Sequence, residues 1–171
     1  IPVVKNLSTH QKIDTVTLEV LRGRFDAVAD EMEHTLLKAS YSSIVSEAQD
    51  ATAAVFDAQG RTVAQACAIP IHLGALSELG KRFKEKYPSG VAQKGDLYLV
   101  NDPYAGGTHL PDFGMASPVF FEGELIGYVA TMTHHQDIGG AAPGSASTDV
   151  YDHHSEGIRI PMIKLASGGE V

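Results

Sequence analysis

Leu18, Leu21, Phe25, Val28, Met32 and Leu36 recur every three or four residues, so they share one side of a helical wheel. With Asp14 or Thr15 as N-cap, the spacing predicts one long amphipathic helix over Thr15–Ala39, with Phe25 and Met32 in the core. Its opposite face carries Glu19, Arg22, Asp26, Asp30 and Glu33, which suits water. Residues 1–13 show no such period and read as a leader arm. Beyond the helix, residues 52–56 and 62–66 read as two short strands joined by the turn Asp57-Ala-Gln-Gly. Leu73, Leu76, Leu79 and Phe83 restore helical spacing in a second helix, entered through Pro70 and His72 and stopped by Pro88-Ser-Gly. Leu97–Val100 is a continuous apolar strand, and residues 158–165 form a last one. Between them, residues 115–121 and 125–132 are rich in Val, Ile, Phe and Tyr and pair as a hairpin around Phe-Glu-Gly-Glu. The expected fold is α+β (mixed α/β): the long N-terminal helix packed on a mixed sheet with β-hairpins, residues 14–171 making one domain.

That hairpin carries the candidate chemistry at its open end. One arm is preceded by Asn101-Asp-Pro-Tyr-Ala-Gly-Gly-Thr-His-Leu-Pro-Asp112, and the other runs into Thr133-His-His-Gln-Asp-Ile-Gly-Gly140. A two-residue loop at Glu122-Gly123 sets Asp112 opposite Thr133, whereas a three-residue loop with a bulge sets it opposite His134. In either register His109, Asp112, His134 and His135 crowd one end. Neutral imidazole and carboxylate are the ligands that Zn²⁺, Mn²⁺ or Fe²⁺ take, so the layout is that of a metal site. Glu47 and Asp50, just before the first strand, read as a solvated strand entry or as a further carboxylate for the site. His72, at the first turn of the second helix, caps backbone or faces a cleft. His153 and His154 read as solvated loop residues, and Arg159 as an anchor for an anionic substrate group.

Composition narrows the classes. In 171 residues, 43% are hydrophobic, which suffices for a core, and no run approaches the roughly 18 apolar residues of a membrane span. The start, Ile-Pro-Val-Val-Lys-Asn, lacks the pattern of a signal peptide, and the expected location is cytoplasmic. The lone Cys67 lies in an apolar run and is expected as a buried free thiol, with no internal disulfide to form. Net charge is −8, with 21 acidic against 13 basic residues, and the only basic cluster, 81–86, reads as a helix face. Nucleic acid is therefore not an expected partner. No Gly-x-x-x-x-Gly-Lys-Ser/Thr loop occurs, so ATP is not expected to bind this chain.

Taken together, the segments 101–112 and 133–140, with 46–56 and Ile69-Pro-Ile-His-Leu-Gly74 before them, resemble the hydantoinase B family. That family includes N-methylhydantoinase and caprolactamase subunits, the C-terminal half of 5-oxoprolinase and, more distantly, the large subunits of acetone and acetophenone carboxylases. The likeness runs from about Asp14 to the last residue, and family chains are much longer, so the stretch resembles the N-terminal portion of a B-type subunit. The resemblance implies a two-component, ATP-dependent enzyme. A hydantoinase A-type partner binds ATP and activates a cyclic amide (hydantoin, lactam or 5-oxoproline) by phosphorylation, and the B-type subunit completes the hydrolysis at a divalent metal. By motif position the ligands are His109, Asp112, His134 and Asp50, although carboxylase relatives carry glutamate in place of Asp50. His135, Asp137 and His72 are the expected catalytic residues. The partners are then the A-type subunit, the remainder of the B-type subunit and the small-molecule substrate. Two other readings stand beside this one, a subunit of an ATP-dependent ketone carboxylase and a non-catalytic fragment.

Overall fold

Asp14 starts the first helix by accepting hydrogen bonds from the backbone N–H of Thr17 at 3.0 Å and from its hydroxyl at 2.5 Å, the N-cap role expected of it. The computed structural model describes residues 13–67, 70–145 and 147–171, with only the backbone at Ile71 and Leu73. Most of the expected leader arm and the side chain of Leu73 lie outside the described residues. Among the described residues three α-helices, α1 (Thr15–Ala39), α2 (Ser43–Ser46) and α3 (Pro70–Lys86), accompany six strands: β1 (Ala51–Asp57), β2 (Thr62–Gln65), β3 (Leu97–Val100), β4 (Asp112–Phe121), β5 (Glu124–His134) and β6 (Ile163–Ala166). The strands form one sheet in the order β2-β1-β5-β4-β3-β6. This is the α+β architecture expected. Within it the sheet is antiparallel at every strand pairing, where a mixed sheet was anticipated.

Strand alternation sorts the sheet into two faces. Ala54, Phe56, Tyr98, Val100, Ala116, Tyr128, Ala130 and Met132 are buried with Leu76, Leu79 and Phe83 of α3, which makes this face the core. Gly80 lets the helix close in, since a Cβ there would meet Phe56 Cδ1 at 2.5 Å. Buried Asp96 ties the far edge of the sheet together: its carboxylate accepts from Tyr98 Oη at 2.8 Å and stands 2.7 Å from Lys164 Nζ on β6. Burial alone raises its pKa, but these partners outweigh that and bring it down to about 2.

The opposite face is where the sequence reading needs correction. α1 crosses β1 and β2, but its buried contact is the small Ala29, set against Ala64, Ala66 and Val55. Phe25, expected in the core, is 41% exposed, and Leu18, Leu21 and Val28 are exposed too, while Met32 is half-buried. The stripe does face the sheet; Phe25 and Val28 border a hollow of about 450 Å³ with Val55, Val63, Val119 and Ile126. A helix of 25 residues is about 37 Å long, more than a short edge hairpin can cover, and an alanine contact leaves its larger neighbours standing clear. Cys67, expected buried, is exposed two residues past the end of the edge strand β2.

Truncation separates the two faces. Leu79→Ala should cost about 2–5 kcal/mol in chemical denaturation and Phe25→Ala under about 1 kcal/mol. Equal losses would contradict the burial described.

Candidate metal centre

Asp112 stands opposite His134 because two features of the hairpin combine. The loop is the two-residue Glu122-Gly123, with φ of 49° and 83°, as in the type I′ turn that suits twisted strands. A bulge between Val119 and Phe120 then shifts the register by one, so Asp112 pairs with His134 rather than Thr133. The expected alternatives had tied that register to a longer loop; here the short loop and the bulge occur together. On the other flank of β5, Ala51 pairs with Thr133, and the His134 N–H donates to the Asp50 carbonyl at 3.1 Å. His134 therefore lies between Asp50 and Asp112 on three adjacent strand ends. Parity puts all three on the α3 face, and His72, four residues before Leu76 on the core-facing stripe of α3, meets them from above.

The distances are short. His134 Nδ1 lies 3.3 Å from Asp112 Oδ1 and 3.8 Å from Asp50 Oδ2. His72 Nε2, fully buried, lies 3.3 Å from Asp112 Oδ2 and 3.7 Å from Asp50 Oδ1. His109 Nδ1 is 3.0 Å from Asp112 Oδ2, which also accepts from Thr108 Oγ1. Among the described residues the donors form two groups, His109–Asp112–His134 and Asp50–His72–Asp112, the atoms of each within 4.8 Å of one another. Asp50 Oδ1, Asp112 Oδ1 and His134 Nδ1 are buried and make no hydrogen bond. Buried polar atoms left without a hydrogen bond are costly, and a cation shared by carboxylate oxygens and imidazole nitrogens removes that cost, so this donor set fits a divalent metal.

Asp112 is the centre of this arrangement. Burial works to raise its pKa, yet hydrogen bonds from His109, His72 and Thr108 prevail and hold it well below the usual carboxylate range. The Asp112 hydrogen bond in turn raises the pKa of His109 against partial burial. Asn101, fully buried, latches the loop that carries His109: its Nδ2 donates to the carbonyls of Leu110 and Ile158, both at 2.8 Å, and its Oδ1 accepts from the Ile160 N–H at 2.6 Å. Neither Asn101 nor Thr108 was singled out as a site residue. Their only sequence signal was their place in the 101–112 motif.

Two cavities open beside the cluster. One, about 490 Å³, is lined by His109, Pro111, Ser147, Thr148 and Glu156. The other, about 390 Å³, is lined by His134 with His135, Asp137, Ser40 and Ser42. His135 and Asp137 are thus outside the ligand cluster and on a cavity wall; His135 packs at a tilt against Phe113, and Asp137 Oδ1 accepts from the Gly139 N–H at 2.9 Å. Arg159, expected as an anion anchor, donates to Asp102 Oδ2 at 2.7 Å across a loop closure. His153 and His154 pack against one another at a tilt, and neither belongs to the two donor groups. No helix among the described residues is long and apolar enough to cross a membrane.

Comparison with known proteins adds to the geometry. The family model described as Hydantoinase B/oxoprolinase matches residues 14–171. A 5-oxoprolinase of Pestalotiopsis fici, PfmaA, is 38% identical over 98% of this chain and 13% of its own length. The crystal structure of the ATP-dependent caprolactamase from Pseudomonas jessenii aligns with a TM-score of 0.84 and 36% identity, covering 93% of this chain and 27% of that one. The nucleotide-free structure of an acetone carboxylase aligns with a TM-score of 0.82 and 26% identity, over 98% of this chain and 22% of that one. The chain spans less than a third of each of these three proteins.

In metal-free protein, His109 should titrate above an ordinary histidine, and Asp112→Asn should bring it down, as read by NMR. A raised histidine pKa stabilises the fold below the unfolded value and loses that contribution as pH rises through the folded one. Metal occupancy should run the other way, falling as pH drops, because ligation needs the neutral ring. An unchanged His109 titration in Asp112→Asn would contradict the pairing.

Proposed function

Because this chain belongs to the hydantoinase B/oxoprolinase family, we propose that it carries the metal centre of the B-type subunit of an ATP-dependent cyclic amide hydrolase. The observation that supports this reading is the convergence of His109, Asp112, His134 and Asp50 with orphaned, buried donor atoms beside two cavities. These four are the proposed ligands. A divalent ion held there, Zn²⁺, Mn²⁺ or Fe²⁺, lowers the pKa of bound water towards about 7 and polarises an acyl or phosphoryl oxygen.

The substrate is a hydantoin, a lactam or 5-oxoproline. A hydantoinase A-type partner binds ATP and phosphorylates the amide oxygen, which makes the ring carbon electrophilic. Water adds to that carbon, the C–N bond breaks with nitrogen leaving protonated, and a second water hydrolyses the resulting acyl phosphate to the linear carboxylate and inorganic phosphate. His135 and Asp137 stand on the cavity wall beside His134 and are placed to carry protons to and from that reaction. Thr108 and Asn101 keep Asp112 and the His109 loop in place, a positioning role. The likeness to an acetone carboxylase supports a second reading, in which the same centre serves ketone carboxylation and bicarbonate is required.

The test is a reconstituted assay of the full-length subunit with its A-type partner. His109→Ala and His134→Ala should each lower metal affinity by at least about 100-fold, the upper end of what losing an outer-shell partner costs, and should abolish ATP-dependent ring opening. His153→Ala should do neither, and turnover should proceed without bicarbonate. Stoichiometric metal in both alanine variants would overturn the ligand assignment; a strict bicarbonate requirement would select the carboxylase reading.

A further inference from the structure

We propose that His72 is a positioning residue of the metal centre, whose Nε2–H holds Asp112 from α3 and so fixes how that carboxylate is presented to the ion. This rests on the reading of the site as a metal centre and adds to it a residue outside the ligand set. His72 Nε2 lies 3.3 Å from Asp112 Oδ2, and both side chains are buried. The same nitrogen is 3.7 Å from Asp50 Oδ1, too far for a hydrogen bond, so its proton goes to Asp112. Asp112 Oδ1 is buried without a hydrogen bond and faces His134 Nδ1 at 3.3 Å. The oxygen that has donors thus points to the helix and the loop, and the oxygen that has none points to a proposed ligand.

The three neighbours of Oδ2 differ in origin. His109, at 3.0 Å, is itself a proposed ligand, and Thr108 sits beside it on the same loop. Only His72 comes from α3, so among the described residues it alone ties the carboxylate to the helix packed on the core face. Its own carbonyl accepts from Gln65 Nε2 at 3.3 Å, which anchors the first turn of that helix to β2. A ligand carboxylate held from a loop and from a helix resists rotation about its Cβ–Cγ bond, and the ion then meets it in one orientation.

Two other roles for His72 fit its surroundings less well. A ligand would present a bare Nε2 to the ion, and Asp112 Oδ2 would then face a lone pair at 3.3 Å instead of a donor. Such a tautomer would carry its proton on Nδ1, which has no partner among the described residues, so an N–H would be buried without an acceptor. An acid or base must reach a reactant, yet His72 is fully buried and lines neither cavity beside the cluster. A hydrogen bond from Nε2 to Asp112 leaves no such N–H and needs no access.

Titration of the metal-free, full-length subunit with Co²⁺ tests this without any assay of turnover, because the visible absorption of the bound ion reports its ligand geometry. His72→Leu should weaken binding about 10–100-fold and shift the absorption bands. His72→Gln, whose amide N–H stands in for Nε2–H, should restore wild-type affinity and spectrum. An unchanged affinity in His72→Leu, a weaker affinity with an unchanged spectrum, or the loss of all metal in both variants would each overturn the proposal while leaving the metal-centre reading intact. No bound metal in the wild type would overturn both. Should His72→Leu fail to fold, nitrogen-15 NMR of the Zn²⁺-loaded wild type decides: His72 should carry its proton on Nε2, and a bare Nε2 would overturn the proposal.

Discussion

A carboxylate with 1% of its side chain exposed needs compensation, and at Asp112 that need organises the whole site. Three side chains from two elements, Thr108 and His109 on the loop before β4 and His72 on α3, direct nitrogen or hydroxyl groups at one of its oxygens. The other oxygen is aimed at His134 with no hydrogen bond between them. Because the groups facing Asp112 come from a helix, a loop and the neighbouring strand β5, the site exists only when all of them are packed. The core stripe Leu76, Leu79 and Phe83 therefore sets the position of His72 as much as it seals the sheet.

Much of this was legible in the sequence, for identifiable reasons. The helix and hairpin positions followed from periodicity, and Leu97–Val100 agrees to the residue. The four proposed ligands were named from the motif, and the structure brings them together. What sequence could not fix was the register. A two-residue loop and a bulge each leave a weak local trace, because a bulge at Val119 and Phe120 depends on how the strands twist against β1 and β3, which is a tertiary matter. Asp50 was ambiguous for a related reason: its nearness to His134 arises from β1 pairing with β5, across some eighty residues of chain.

The error over α1 is instructive in another way. Apolar spacing reports which side of a helix turns inward, but not how much surface awaits it there. Phe25 and Val28 do turn towards the sheet, yet Ala29 makes the buried contact. The same reasoning succeeded for α3, whose Leu76, Leu79 and Phe83 are buried against the core face of the sheet. Cys67 fell to the same limit, since an apolar run at a sheet edge need not be covered.

The sheet consequently divides the molecule into a firmly held half and a loosely held one. Backbone amides of α1 should belong to the units that open at low free energy, whereas those of β4, β5 and α3 should exchange only on global unfolding. Leu36 and Ala39, at the far end of α1, also form part of the cavity beside His134. A breathing motion of this helix would alter the room above that histidine while Asp50, Asp112 and His72 stayed fixed by the opposite layer. The volume offered to a reactant can thus fluctuate independently of the geometry of the groups that act on it.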